Sequence, residues 1–153
     1  MSAEARLKEI GLTLPEAPRP VAAYVPSVRS GNLVFVSGQI AFKDGKLAWT
    51  GKVGRDLPLE AGQAAARQCA LNALAVVRAE IGTLDAVERI VRVAVFVASA
   101  DGFTDQPKVA NGASELLVDV FGERGRHARA AVGVSELPLG SPVEVELVVE
   151  VRT

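Results

Sequence analysis

HARAAVGVSELPLGSPVEVELVVE, residues 127–150, is the stretch on which the reading of this chain turns. If residues 127–134 are extended, alternation places His127, Arg129, Ala131 and Gly133 on one face and Ala128, Ala130, Val132 and Val134 on the other. The first face is polar but hollow, with an arginine beside residues too small to fill the space around it. A second alternating run follows, with Val143, Val145, Leu147, Val149 and Val151 opposed to Glu144, Glu146, Val148, Glu150 and Arg152. The two runs are expected to form a hairpin around Leu137 to Ser141. A slip of one residue would turn every valine of a strand to the wrong face, so the valine faces are expected to coincide. Arg129 would then share a face with Glu144 and Glu146. Distance stays open: directly opposite or diagonal partners lie roughly 5 to 8 Å apart, and each two-residue slip adds about 7 Å. Arg129 can therefore pair with either glutamate, or with neither.

Two meanings attach to that face. One is solvated charge on a half-exposed sheet, with Arg129 in a salt bridge to Glu146 or Glu150. The other is a ligand site. A guanidinium offers a planar fork that matches a carboxylate or phosphate and stays charged at any relevant pH. A glutamate whose pKa is raised by partial burial and a like-charged neighbour can hold a water or move a proton.

Working outward, Ala3 to Ile10 suit a short helix, and Thr13 to Pro20, with three prolines, an extended connector. Residues 1–19 are thus read as an arm and 20–153 as the domain. From Tyr24 to Phe42 the pattern is of strands around a turn at Arg29 to Asn32, and Lys43 to Lys46 is a hairpin signal returning through Leu47, Trp49 and Val53. A helix is expected from near Pro58 to before Gly82. Ala70, Leu74, Val77 and Ile81 lie on one face, with Gln63, Arg67, Gln68, Asn72 and Arg78 on the other. Arg89 to Ala100 reads as an interior strand. A second helix starts about Pro107, is weakened at Gly112 by up to about 1 kcal/mol, and stops at Gly122. This order gives an α+β domain, one mixed β-sheet with two helices packed on a single face. The other face still needs covering, and self-association is the economical answer.

At 153 residues the chain is long enough for a real core, built from valine, leucine and alanine because aromatics make up only 5%. The positive mean hydropathy fits apolar surface between subunits, although a tight single core gives the same value. Formal net charge is −1 with the signs interspersed, so no basic stripe points to nucleic acid. Cys69 is the only cysteine and His127 the only histidine, which excludes an internal disulfide and a metal site built on several His and Cys ligands. No metal or other cofactor is expected. Neither a signal peptide nor an apolar run long enough to span a membrane is visible, so the expected location is cytoplasmic.

The chain resembles the RidA/YjgF family, also called L-PSP endoribonuclease-like. The resemblance rests on SGQI at Ser37 to Ile40 after a tyrosine-bearing segment, and on AR…V.V..LP…VE.E from Ala128 to Glu146. Weaker agreement covers Arg67 to Asn72 and Val95 to Val97, the whole spanning about Pro20 to Val151. It implies a chorismate-mutase-like fold and a homotrimer with small-molecule pockets in the clefts between subunits. It further implies hydrolysis of reactive 2-imino and 2-enamino acids, such as 2-aminoacrylate, to 2-oxo acids and ammonia.

Carried over by motif, Arg129 would bind the substrate carboxylate and Glu144 would position or activate water. Tyr24 and the Ser37-Gly38 turn would line the pocket, beside Ala131 and Asn111. This chain departs from the pattern in three places. Ala131 stands where archetypal members have a cysteine, His127 replaces part of a more usual proline-containing approach to the strand, and the FTDQPKVANGAS segment looks longer.

Bland roles compete for several residues. Tyr24 can be a rim residue packing on a neighbouring subunit. His127 reads better as a satisfied surface histidine than as a general base, Cys69 as buried and inert, and Gln106 and Asn111 as amide contacts or mere helix caps. Three functions follow: an imine/enamine deaminase acting on a small carboxylate-bearing substrate; a non-catalytic trimeric binder of a carboxylate metabolite; and, last, a ribonuclease, which would want a basic groove and further acid/base groups.

Overall fold

A computed structural model of the protein describes residues 2–19 and 22–153. The expected boundary between arm and domain, at Pro20, falls outside the described residues. The elements run α1 (Ala3–Glu9), β1 (Ser27–Ser30), β2 (Leu33–Ile40), β3 (Phe42–Lys43), β4 (Lys46–Leu47), α2 (Leu59–Ile81), β5 (Val87–Ala98), α3 (Gln106–Phe121), β6 (Ala128–Val134) and β7 (Val143–Val151). Five strands form one sheet in the order β1-β2-β7-β5-β6, with β3 and β4 a separate small ribbon. All pairs in the large sheet are antiparallel except β5 with β6, which α3 connects as a crossover. The architecture is thus a mixed sheet with α2 and α3 on one face, as the sequence pattern requires. Among the described residues no helix is long and apolar enough to cross a membrane.

The core lies between that face and the helices. Val143, Val145, Leu147, Val149 and Val151 of β7 are all buried and alternate with partly exposed Glu144, Glu146, Val148 and Glu150. Buried Val93, Val95 and Val97 of β5 lie in the same layer. Against them α2 sets Ala66, Cys69, Ala70, Ala73, Leu74 and Val77, a stripe at helical spacing whose small members let the helix sit close to the sheet. Gly82, at φ +88°, ends α2. Gly112 in α3, expected only to weaken its helix, has a stronger reason to be glycine: a Cβ there would lie 2.1 Å from the Gln63 carbonyl oxygen of α2. Helix crossing, not propensity, decides that position.

Two expectations fail here. First, β6 and β7 are not a hairpin: β5 lies between them and hydrogen-bonds to both. An apolar strand such as β5 is most stable with neighbours on both edges, and the loop after β6 carries the chain across its end, where Ala98 N donates to Pro142 O at 2.9 Å and Ser99 N to Val134 O at 3.1 Å. Second, the valine faces do not coincide. Val93 of β5 is registered with both Arg129 of β6 and Leu147 of β7, so Arg129 points to the helix side of the sheet while Glu144 and Glu146 point to the other side. As an edge strand β6 does not have to bury its valines, and Val132 is 45% exposed on the outer face.

The polar positions of α2 hold a third difference. Gln68 and Asn72 are buried rather than solvated. Asn72 Nδ2 donates to the carbonyls of Ile40 (3.0 Å) and Phe42 (2.9 Å), and Gln68 Nε2 donates to Asn72 Oδ1 at 3.0 Å. The pair holds the β3–β4 ribbon to the helix. On the outer face, Val28, Phe35 and Val132 are all exposed. The arm packs on the domain, with Ala3, Leu7 and Leu14 in the core and Glu4 bridging Arg78 and the Leu84 amide.

Candidate active site

The seven site residues expected from sequence fall into two clusters on opposite faces of the sheet. The first is built on a bulge. Strand β2 runs in register with β7 through Val36 and Leu147, then resumes at Gln39 and Val145, so one extra residue is accommodated at Ser37-Gly38. The bulge brings Gly38 onto the Glu144 side chain so closely that a Cβ would lie 2.8 Å from Glu144 Cδ and 3.0 Å from Oε2. Glycine is required there by the carboxylate rather than by a turn. Ser37 does not offer its hydroxyl to the cleft: Oγ donates to the Val25 carbonyl at 2.7 Å, and its amide to Pro26 O at 2.8 Å. These bonds pin the segment carrying Tyr24 against the bulge.

The resulting cleft, about 310 Å³, is lined by Tyr24, Pro26, Gly38, Leu139 and Glu144, with Pro18 and Arg19 of the arm at its edge. Tyr24 and Leu139 project into solvent at 58% and 73% exposure. Leu139 also adopts φ +58°, a backbone conformation unfavourable for a leucine. Burial raises the pKa of Glu144 and the charge of Glu146 raises it further. A carboxyl so placed gives up its proton less readily than an ordinary glutamate, which suits it to proton exchange. Behind it, Cys69 is fully buried, its Sγ donating to Val143 O at 3.4 Å, and burial pushes its thiol well up, with Glu144 adding to the effect. It is unreactive.

The second cluster lies between β6 and α3. Arg129 Nη1 donates to Asn111 Oδ1 at 2.9 Å and to Ser114 Oγ at 3.1 Å. It pairs with none of Glu144, Glu146 and Glu150 among the described residues. Ala131 and Gly133 follow on the same face. Gly133 makes room for Gln106, whose Nε2 would lie 2.7 Å from a Cβ there and which donates to Phe103 O and Ser99 Oγ. The hollow face thus receives the polar side of α3. His127 closes the cluster through bonds to Ser114 and the Gly125 carbonyl.

The structure therefore brings Tyr24, Gly38 and Glu144 together, and separately Arg129, Asn111 and Ala131. Sequence reasoning missed Ser114, although it lies three residues after Asn111 and so on the same helical face. It also missed Leu139 and Arg19, which no periodicity marks.

The fold defines a class: small α+β proteins with a chorismate-mutase-like mixed sheet. Residues 4–151 match the family described as "YjgF/chorismate_mutase-like, putative endoribonuclease", and the chain belongs to this RidA/YjgF family. The match takes in α1 and the arm, which the motif resemblance left out. Protein TCP17 of Trypanosoma cruzi is 49% identical over 149 residues, 97% of this chain and 93% of that protein. A 2-iminobutanoate/2-iminopropanoate deaminase of Dermatophagoides farinae is 32% identical over 143 residues, 92% of this chain and 95% of that one. Among solved structures, a protein of unknown function from Agrobacterium tumefaciens superposes with a TM-score of 0.92 at 49% identity, covering 98% of this chain and 92% of that one.

Proposed function

We propose that the protein is a hydrolytic deaminase of reactive 2-imino and 2-enamino acids, working in clefts between subunits of a homotrimer. One observation carries the proposal. The arginine suited to a carboxylate and the carboxyl suited to proton transfer are each presented at an exposed rim, but on opposite faces of the sheet. A single chain cannot bring them to one substrate; two chains can, Arg129 from one and the Glu144 cleft from its neighbour. The exposed apolar outer face, with Val28, Phe35 and Val132, supplies surface for such an assembly. The kinship with a named iminobutanoate/iminopropanoate deaminase supports the substrate class.

In this scheme Arg129 binds the substrate carboxylate through its free guanidinium edge and fixes the position of C2. An enamine such as 2-aminoacrylate first takes a proton at C3 to give the iminium. Water then adds at C2, forming the C–O bond while Glu144 takes a proton from that water. Returning it to nitrogen lets the C–N bond break as the carbinol hydroxyl gives its own proton to Glu144, so that ammonia leaves, the C=O of the 2-oxo acid forms, and the proton taken up at C3 is made good. No redox partner is required.

The test is ammonia release from freshly generated 2-aminoacrylate and 2-iminobutanoate. The protein should accelerate it and Arg129→Ala should abolish most of the acceleration; equal rates with and without protein would overturn the proposal. A second reading is favoured by Ala131, which puts a methyl group where the family archetype offers a thiol: a trimer that binds a carboxylate metabolite without turning it over. It would show as a ligand recovered unchanged.

A further inference from the structure

Resting on the role just given to Arg129, we propose that His127 and Ser114 form a positioning relay. It clamps one edge of the Arg129 guanidinium, leaves the other edge for the substrate carboxylate, and releases when the imidazole takes up a proton. The hydrogen-bond directions follow from chemistry. His127 Nδ1 lies 2.6 Å from the Gly125 carbonyl oxygen, which can only accept, so Nδ1 carries the hydrogen. In the neutral ring Nε2 is then a bare lone pair, 2.8 Å from Ser114 Oγ, and the hydroxyl must donate to it. The hydroxyl's lone pairs are left facing Arg129 Nη1 at 3.1 Å. The second hydrogen of Nη1 goes to Asn111 Oδ1 at 2.9 Å. Both hydrogens of that nitrogen are thereby used, and Nε with Nη2 forms the open edge that a carboxylate engages bidentately.

Protonation changes each link. In the imidazolium both nitrogens donate, so the Ser114 hydroxyl must turn its hydrogen away from Nε2 and share its two lone pairs between two cationic donors, which makes it a weaker acceptor for Arg129 Nη1 than when it donates to a neutral ring. A second cation also appears beside the guanidinium. The groups that face the ring are Ser114 from α3, the Gly125 carbonyl from the turn after α3, and Arg129 on β6. Arg89, Arg126 and Glu150 border the opening on its outer side, where Arg126 Nε also bonds Glu123 at 3.2 Å. Burial holds the imidazole pKa below its ordinary 6.5, the Arg129 charge lowers it further, and the Gly125 carbonyl acts against both. The relay is thus set at neutral pH and opens only as pH falls below the ordinary imidazole value of 6.5. Ser114 and His127 touch no reacting atom; they act through Arg129.

His127 is the only histidine of the chain, so its ring can be followed without assignment. Nitrogen NMR of the native protein should show the less usual tautomer, hydrogen on Nδ1 and none on Nε2; hydrogen on Nε2 would overturn the proposal. The second readout is the affinity for 2-oxobutanoate, a stable carboxylate, followed from neutral to mildly acid pH. Affinity should fall as His127 titrates. Ser114→Ala should bind about fivefold more weakly at neutral pH and lose the acid dependence, Ser114→Thr should restore both, and His127→Asn should flatten the profile. Native-like affinity and pH profile in Ser114→Ala, with Arg129→Ala still crippled, would sink the relay alone. An Arg129→Ala protein that binds 2-oxobutanoate as the native one does would instead sink the role of Arg129 on which the relay rests.

Discussion

The Glu144 cleft and the Arg129 cluster are built by different means. Around Glu144 the backbone does the work: a bulge delivers Gly38 onto the carboxylate, Ser37 pins the Tyr24 segment, and prolines and Leu139 wall the cleft. Around Arg129 side chains do it, with Asn111, Ser114 and His127 linked by hydrogen bonds at the rim of an edge strand. The first arrangement destabilises a charge, the second orients one. Each lacks what the other has, and a site shared between chains is the proposal that would join them.

The sharpest way to break this contrast is to remove each key group in turn. Glu144→Gln should lower kcat by about 10²- to 10⁴-fold with KM little changed, as expected for a lost proton-transfer group. Gly38→Ala should follow in direction. The Cβ it adds would displace the flexible end of Glu144, 2.8 Å away, rather than a fixed backbone, so activity should drop far more than the melting temperature. Arg129→Ala should act mainly on KM and lower kcat/KM by about 10- to 100-fold, the worth of charge-assisted bonds to a carboxylate. A kcat effect from Arg129→Ala as large as that of Glu144→Gln would erase the distinction between orienting and proton-moving groups.

Stability offers a smaller but sign-specific test. Glu144 has its folded pKa raised by burial and then by Glu146, so its charged form opposes folding. That penalty is absent below the ordinary carboxylate value of 4.5 and sets in as pH rises from there through the folded pKa. Glu144→Gln should therefore raise the denaturation midpoint at neutral pH and lose the gain in acid. His127 has its folded pKa lowered by burial first, so the stability tied to its neutral ring is present above 6.5 and is lost as pH falls through that value towards the folded pKa. Denaturant midpoints of the native protein and of Glu144→Gln across that range check both signs. A gain from Glu144→Gln that persists in acid would contradict the burial of its charge.

How much of this was legible in the sequence follows the same divide. Local signals placed the helices and the Lys43–Lys46 turn within a residue or so, because Pro58, Gly82 and Gly122 mark ends that few residues tolerate. The two-sided pattern of β7 was equally plain. Non-local pairing was not: the alternation of β6 and β7 is satisfied as well by an intervening strand as by a hairpin. Assuming that valines face inward then turned Arg129 to the wrong side. Nothing in β6 itself says that it is an edge. The glycine at 112 illustrates the limit, since its cost is local and its reason, the Gln63 carbonyl, lies on another helix. The residues of the candidate site could be proposed from motif, but their division between two faces could not be read there.

That division makes subunit complementation the most direct test. Arg129→Ala and Glu144→Gln proteins, each strongly impaired alone at substrate concentrations well below KM, should be co-assembled into mixed oligomers and assayed under those conditions for ammonia release from 2-iminobutanoate. If each cleft takes Arg129 from one chain and Glu144 from its neighbour, about a quarter of the clefts in a statistical trimer regain both groups, and activity should return to about that share of the native level. Mixed oligomers no more active than the average of the parents would contradict a site shared between chains.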